Sequence, residues 1–216
     1  MTLTSGFEIL IASRNQGKIR EVSEALYSLP IKLRTLDEFA NVTSIDEVGQ
    51  TYEENAVLKA LGYAKQTGVC ALADDSGLEV DVLGGEPGVL SARFAGEHAS
   101  DGDRIQALLS ALSRYASGEL TARFVCCMAL ADWQPTEDAD GMLVPRLVTV
   151  AAGKCEGLIA AQPMGENGFG FDPVFVPAGY AATFAELPSD IKGRISHRAQ
   201  ALSAIRAFLE GRVAQT

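Results

Sequence analysis

The apolar residues fall in short runs parted by polar, turn-forming stretches, and the period changes from run to run. Phe7 to Ala12 (FEILIA) is almost wholly apolar and predicts a buried first strand. From Lys18 to Leu29 the period lengthens, placing Ile19, Val22, Leu26 and Leu29 on one helical face. A second helix is predicted from Thr51, where Thr51 and Glu54 have capping-box spacing. Tyr52, Ala56, Ala60 and Ala64 line one face of it, and Asn55 and Lys59 share a different, polar face. Cys70 to Ala73 predicts a short buried strand, ended by Asp74-Asp75-Ser76-Gly77. A third helix is expected from about Asp101 to Tyr115, with Ser100 and Asp103 as its cap pair. Two apolar, β-branched or aromatic runs follow, Leu120 to Ala131 and Arg146 to Ala152. The polar stretch Trp133 to Gly141 between them reads as a surface loop, so the pair predicts a long hairpin. The last helix is expected from near Ser196, with Ala199, Leu202, Ile205, Ala207 and Leu209 inward. Strands and helices interleave throughout, which predicts an α/β fold with a mixed sheet.

Length and composition narrow the class. The 216 residues allow one large domain or two small ones. With 47% apolar and 21% charged residues, whole-chain disorder is excluded. The longest apolar run, Phe124 to Ala131, is less than half the length needed to span a bilayer. No cationic region precedes the first apolar stretch, so no secretory signal is expected and the expected address is the cytoplasm. The net charge of −10 disfavours nucleic acid as a partner, because phosphate neutralisation dominates that affinity. A small polyanion remains possible if cations are focused locally or a divalent metal intervenes. Cys70, Cys126, Cys127 and Cys155 form no CxxC pair and read as reduced, buried, structural thiols. Two histidines, His98 and His197, are too few for a multi-histidine metal site.

Six segments carry candidate chemistry. Ser13-Arg14-Asn15-Gln16-Gly17-Lys18 joins a strand to a helix N-terminus, where backbone amides and the helix dipole suit phosphate. It is neither a Walker A loop nor GxGxxG, and a plain strand-to-helix turn is the alternative. Asp74 and Asp75, at a strand's end, suit Mg²⁺ or the orientation of water, although Asp, Ser and Gly also favour an ordinary turn. Glu47, ahead of the second helix, is the better candidate for a second metal carboxylate than Glu53 or Glu54, whose place early in that helix the dipole explains. Gly84 to Gly88, with Pro87, sets an unusual backbone path, and Arg93 beyond it is a phosphate-facing candidate. In Gly165 to Pro173 the glycines beside Phe169 and Phe171 let a ring lie against a flat ligand, and Asp172 can accept from a base edge. A turn with two core phenylalanines explains the same residues. Lys192, His197 and Arg198 put cations near the start of the last helix, a mild misfit with its dipole that hints at a ligand.

Together, SRNQGK, ENAVLKA, ADDSGLEVDVLGGEPGVLSARFAG, GFGFDPVF and SHRAQAL resemble, in order and spacing, the inosine triphosphate pyrophosphatase family, also called XTP/dITP pyrophosphatases. The resemblance runs from about residue 7 to 210. It implies one elongated, two-lobed domain over residues 1–216 around a central cleft, a homodimer, and Mg²⁺-dependent hydrolysis of ITP, dITP or XTP to the monophosphate and pyrophosphate. Residue by residue it implies that Ser13, Arg14, Asn15, Gln16, Gly17 and Lys18 contact the triphosphate. Glu47 and Asp75 match metal ligands, Asp75 matches the proton acceptor beside Asp74, and Ser76 matches a substrate contact. Phe169, Gly170, Phe171, Asp172, Lys192, His197 and Arg198 match the base-recognition set. Val48 stands where the family often has Thr, Phe171 where Tyr is common, and the Trp133 to Gly141 loop is long. The competing readings are a nucleotide-binding sensor without turnover and a pyrophosphatase for another modified base.

Overall fold

The computed structural model describes residues 7–115, 118–137 and 143–213. Six strands form one sheet in the order β2-β1-β3-β4-β5-β6. They are β1 (Glu8–Ile11), β2 (Lys32–Thr35), β3 (Cys70–Val80), β4 (Thr121–Glu137), β5 (Leu143–Ile159) and β6 (Phe175–Pro177). The helices are α1 (Gln16–Leu26), α2 (Tyr52–Thr67), α3 (Asp101–Leu112), α4 (Ser189–Ile195) and α5 (His197–Val213). β1 pairs in parallel with both β2 and β3, whereas β5 and β6 are antiparallel, so the sheet is mixed as the sequence predicts. β4 and β5, consecutive in the chain and adjacent in the sheet, form the expected long hairpin. Its strands run further than their apolar cores. Trp133 to Glu137 continue β4 instead of forming a loop, and 138–142 lie outside the described residues.

The chain folds as two compact units. The first comprises Met1–Asp75, Cys127–Ala152 and Ala201–Thr216, and the second comprises Ser76–Cys126 and Gly153–Gln200. In the first unit β1 is apolar on both faces beyond Glu8, with Ile9, Leu10 and Ile11 buried, as expected of a parallel strand flanked on both sides. α1 turns Val22 and Leu26 inward, and α2 turns Tyr52, Ala56, Ala60 and Ala64 inward. α2 opens with the expected capping box: Glu54 N donates to Thr51 Oγ1 (3.1 Å) and Thr51 N to Glu54 Oε2 (3.3 Å). In the second unit Leu78, Val80, Ile105, Leu108, Leu112, Phe124, Phe171, Phe175 and Phe184 build one core. Phe124, Phe175 and Phe184 pack as an aromatic trio with centroids 4.7 to 6.1 Å apart. α3 opens with Ser100 and Asp103 in the predicted cap.

Three further expectations change. β3 does not stop at Ala73: it continues through Asp74-Asp75-Ser76-Gly77 to Val80, because pairing within the sheet overrides the turn preference of those residues. A separate helix, α4, precedes the last one, so Lys192 lies in α4 and only His197 and Arg198 open α5. Along α5, Leu202, Ile205 and Leu209 are buried but Ala207 is exposed. The four cysteines are all buried and unbridged, and burial pushes the Cys155 thiol up to about 11, consistent with inert structural thiols.

Candidate active site

In the first unit, strand β3 delivers Asp74 and Asp75 side by side, 6% and 5% exposed. Alternation along a strand sends the two carboxylates to opposite faces, and each meets its own lysine. Lys18, two residues into α1, places Nζ 2.9 Å from Asp74 Oδ2. Lys59, on α2, places Nζ 3.7 Å from Asp75 Oδ1 and 2.6 Å from Glu47 Oε1. One ammonium thus joins the two carboxylates singled out as metal ligands. Asn55, one helical turn before Lys59, donates from Nδ2 to Asp75 Oδ2 (3.1 Å). Its Oδ1 accepts from Gly49 N (2.8 Å), so the same side chain ties the Glu47 segment to Asp75. A Cβ at Gly49 would lie 2.7 Å from Asn55 Oδ1, which explains the glycine there.

Asn55 and Lys59 are the residues that sequence reasoning misses. It assigns them a polar face of α2, and that face is buried against Asp75 and Glu47. Two polar residues four apart, set among the apolar Ala56, Val57, Leu58, Ala60 and Leu61, are the available signal.

Burial pushes the Asp75 carboxyl above the usual carboxylate range. Lys59, Lys18 and the Asn55 amide pull the other way, while Glu47 adds to the rise. Burial alone would lower the Lys59 ammonium, but Asp75, Asp74 and Glu47 together hold it above its ordinary value. A buried carboxylate of this kind, shifted upward by its surroundings, is suited to taking a proton from water.

The Ser13 to Lys18 loop uses its own side chains to satisfy its amides. Asn15 N donates to Ser13 Oγ (3.2 Å), and Gly17 N and Lys18 N donate to Asn15 Oδ1 (2.9 and 3.2 Å). Asn15 is therefore the N-cap of α1, which starts at Gln16, two residues earlier than the period predicts. Three amides that the sequence pattern offers to a phosphate are engaged within the loop. Arg14 Nη2 donates to Val42 O at 3.3 Å.

The second unit gathers the remaining candidates. Asp172 is buried, and its Oδ2 accepts from Lys192 Nζ (2.5 Å) and from Phe169 N (2.8 Å). Lys192 Nζ stands 4.6 Å from the Phe169 ring centroid, and the Arg198 guanidinium carbon 5.5 Å from it. Arg198 Nη2 donates to Ser76 Oγ (2.8 Å). The His197 ring stacks on Phe124 at 4.7 Å and 10°. Ser76, Phe169, Asp172, Lys192 and Arg198 thus form one linked group. Phe171 departs from the expectation of a ligand-facing ring: it is 3% exposed and belongs to the core. Gly168 has φ +79, and a Cβ there would lie 2.1 Å from Asp172 Oδ2, so the close turn requires glycine. Arg93 ends a short 3₁₀ turn and is exposed.

A model of the Ham1 family matches residues 9–208. The chain belongs to the Ham1 family. Among curated relatives, a Bacillus anthracis protein named dITP/XTP pyrophosphatase is 42% identical over 195 residues, covering 90% of this chain and 92% of its own length. One of the same name from Vibrio parahaemolyticus is 43% identical over 211 residues, covering 96% and 99%. A solved HAM1 protein from Coxiella burnetii superposes with a TM-score of 0.80 at 42% identity, over 95% of this chain and 99% of that one. The Ham1 assignment bears out the family resemblance read from the motifs and the α/β fold with a mixed sheet.

Proposed function

We propose that this chain hydrolyses deaminated purine nucleoside triphosphates (ITP, dITP, XTP) to the monophosphate and pyrophosphate. The observation that carries the reading is the placement of Asp75: buried, raised in pKa, and tied to Glu47 through Lys59 and Asn55. Relatives named for that reaction support it. In the reaction, water attacks the α-phosphorus, the bond from that phosphorus to the bridging oxygen breaks, and pyrophosphate leaves. Asp75 takes the proton of the attacking water. Lys18, held by Asp74, offsets charge on the triphosphate, and Ser13 to Gly17 supply its polar contacts.

The donor set fits Mg²⁺. Glu47 and Asp75 offer hard carboxylate oxygens, and Mg²⁺ is usually held by one or two carboxylates together with substrate phosphates. When bound, the ion would offset charge on the departing pyrophosphate.

Base choice follows from hydrogen-bond polarity. Lys192, His197 and Arg198 are donors, and hypoxanthine and xanthine present a 6-oxo acceptor. The 6-amino group of adenine would face donors instead. A site of buried donors rejects such a partner by on the order of 10⁴-fold. Asp172 serves this site by holding Lys192 and the Phe169 amide, in place of the base-edge contact expected from the sequence.

The resemblance further supports a cytoplasmic homodimer. Among the described residues no helix is long and apolar enough to cross a membrane. The test incubates the protein and Mg²⁺ with ITP, XTP, dITP, GTP and ATP and separates pyrophosphate from orthophosphate. Pyrophosphate from ITP and XTP, with ATP nearly untouched, is the expected result. No turnover would overturn the reading in favour of a nucleotide-binding sensor, and orthophosphate as first product would overturn it in favour of hydrolysis at another phosphoanhydride bond.

A further inference from the structure

Phe169 is the ring on which Lys192 and Arg198 converge, and it stands in a loop of unusual backbone. Gly168 and Gly170 both have positive φ, +79 and +63. Such a loop has many accessible conformations, so something must select one. Two consecutive amides are held by carboxylates. Phe169 N donates to Asp172 from within the loop itself. Gly170 N donates to Asp101 Oδ2 at 2.6 Å, across 69 positions of sequence. Asp101 is thus a tether from outside the loop. Its own position is fixed in turn: Oδ1 is paired with Arg104. Arg104 also donates from Nη1 to Ala92 O (2.8 Å) and Ala99 O (2.7 Å). The sequence alone gives Asp101 no role beyond starting α3.

We infer that Asp101 is a positioning residue for base recognition, holding Phe169 in place by accepting the Gly170 amide. The inference rests on the pyrophosphatase reading and deepens it, since it names a residue that sets selectivity without touching the base. The carboxylate does what a backbone carbonyl cannot: it offers one oxygen to the loop and the other to a guanidinium that braces it. Losing it frees the Gly170 amide to point elsewhere. The Phe169 ring would then leave the place where Lys192 and Arg198 flank it.

The test compares wild type with Asp101→Ala, Asp101→Asn and Asp101→Glu. Loss of one hydrogen bond to a charged group predicts, for Asp101→Ala, an ITP KM raised about tenfold with kcat nearly unchanged. The ratio of kcat/KM for ITP to that for ATP is expected to fall by about the same factor, because only base placement is loosened. Hydrogen exchange of peptides covering residues 168–172 is expected to speed up in parallel. Asp101→Asn keeps an acceptor and is expected to restore most of both. Asp101→Glu keeps the charge at the start of α3 but moves the acceptor by one methylene, and serves if the alanine variant folds poorly. An Asp101→Ala protein with wild-type exchange at 168–172 and an unchanged ITP to ATP ratio would overturn the inference. So would equal losses for both nucleotides, which a merely structural role gives. If wild type turns over neither nucleotide, the pyrophosphatase reading fails first, while the exchange data still report on the tether.

Discussion

Asp75 carries two opposed demands. In the proposed reaction it must be ionised to accept a proton, yet burial holds its carboxyl above the usual range. A carboxyl whose folded pKa lies above its unfolded value binds its proton more tightly in the fold. Its contribution therefore favours folding at low pH and is lost as pH rises from the ordinary carboxylate range through the raised value. At neutral pH, without metal, ionised Asp75 works against stability. Asp75→Asn keeps the shape and an acceptor for Asn55 while removing that charge. Turnover of ITP is expected to fall about 10²- to 10⁴-fold, the usual worth of a general base. In EDTA at pH 7 the Tm of the variant is expected to equal or exceed that of wild type, and the difference to shrink toward pH 4. Thermal melts across pH, run beside the pyrophosphate assay, check both. Near-normal activity would remove Asp75 as base. A lower Tm at pH 7 would mean that its attraction to Lys59 outweighs its burial.

At the scale of elements, α2 brings Asn55 and Lys59 to the acidic residues, so its N-terminal cap is where local sequence and site meet. Thr51→Ala removes the acceptor for Glu54 N and is expected to cost about 1 kcal/mol, lowering Tm by about 2–4 °C in a chain of this size. Circular-dichroism melts check it; an unchanged Tm would mean that packing of Ala56, Ala60 and Ala64 alone starts the helix. That cap is legible in the sequence because its signal is local, four residues long and stereotyped. The same holds for Ser100 and Asp103, for β1, and for the apolar centres of β4 and β5. What is not legible depends on distant partners. Asp-Asp-Ser-Gly has the composition of a turn, and only its place within a strand that lies between β1 and β4 in the sheet keeps it extended. Lys18 and Lys59, far off in sequence, keep its two carboxylates near counter-charges inside the fold. α4 is seven residues long, too short to show a period, so the pattern reveals no helix around Lys192. The motifs locate the candidate residues but not their wiring. Asn55 and Lys59 in the first unit, and the Phe124 ring against His197 in the second, join their own unit's group only through packing in three dimensions.

Across the whole molecule, the proposed chemistry is divided by unit. The residues read as handling phosphate, Lys18 with Asp74 and Glu47 with Asp75, belong to the first. Those read as choosing the base, Lys192, His197 and Arg198, belong to the second. All these triphosphates carry the same phosphate chain and differ only in the base, so the two sets should fail in different ways. Lys18→Ala removes one charged group read as contacting the phosphates that ITP and ATP share. Its kcat/KM is expected to fall about 10- to 100-fold for both, leaving their ratio unchanged. Because Lys18 also sits against the buried carboxylate of Asp74, its Tm is expected to fall as well. Arg198→Ala removes a donor read as facing the 6-oxo group. It is expected to lower kcat/KM for ITP about 10- to 100-fold while ATP changes little, so the ratio collapses. The double variant should then show the ratio of Arg198→Ala alone, since independent sites add. A changed ratio in Lys18→Ala would mean that the phosphate contacts take part in selecting the base. An unchanged ratio in Arg198→Ala would move selection to Lys192, His197 or the loop tethered by Asp101, whose variants then decide between them.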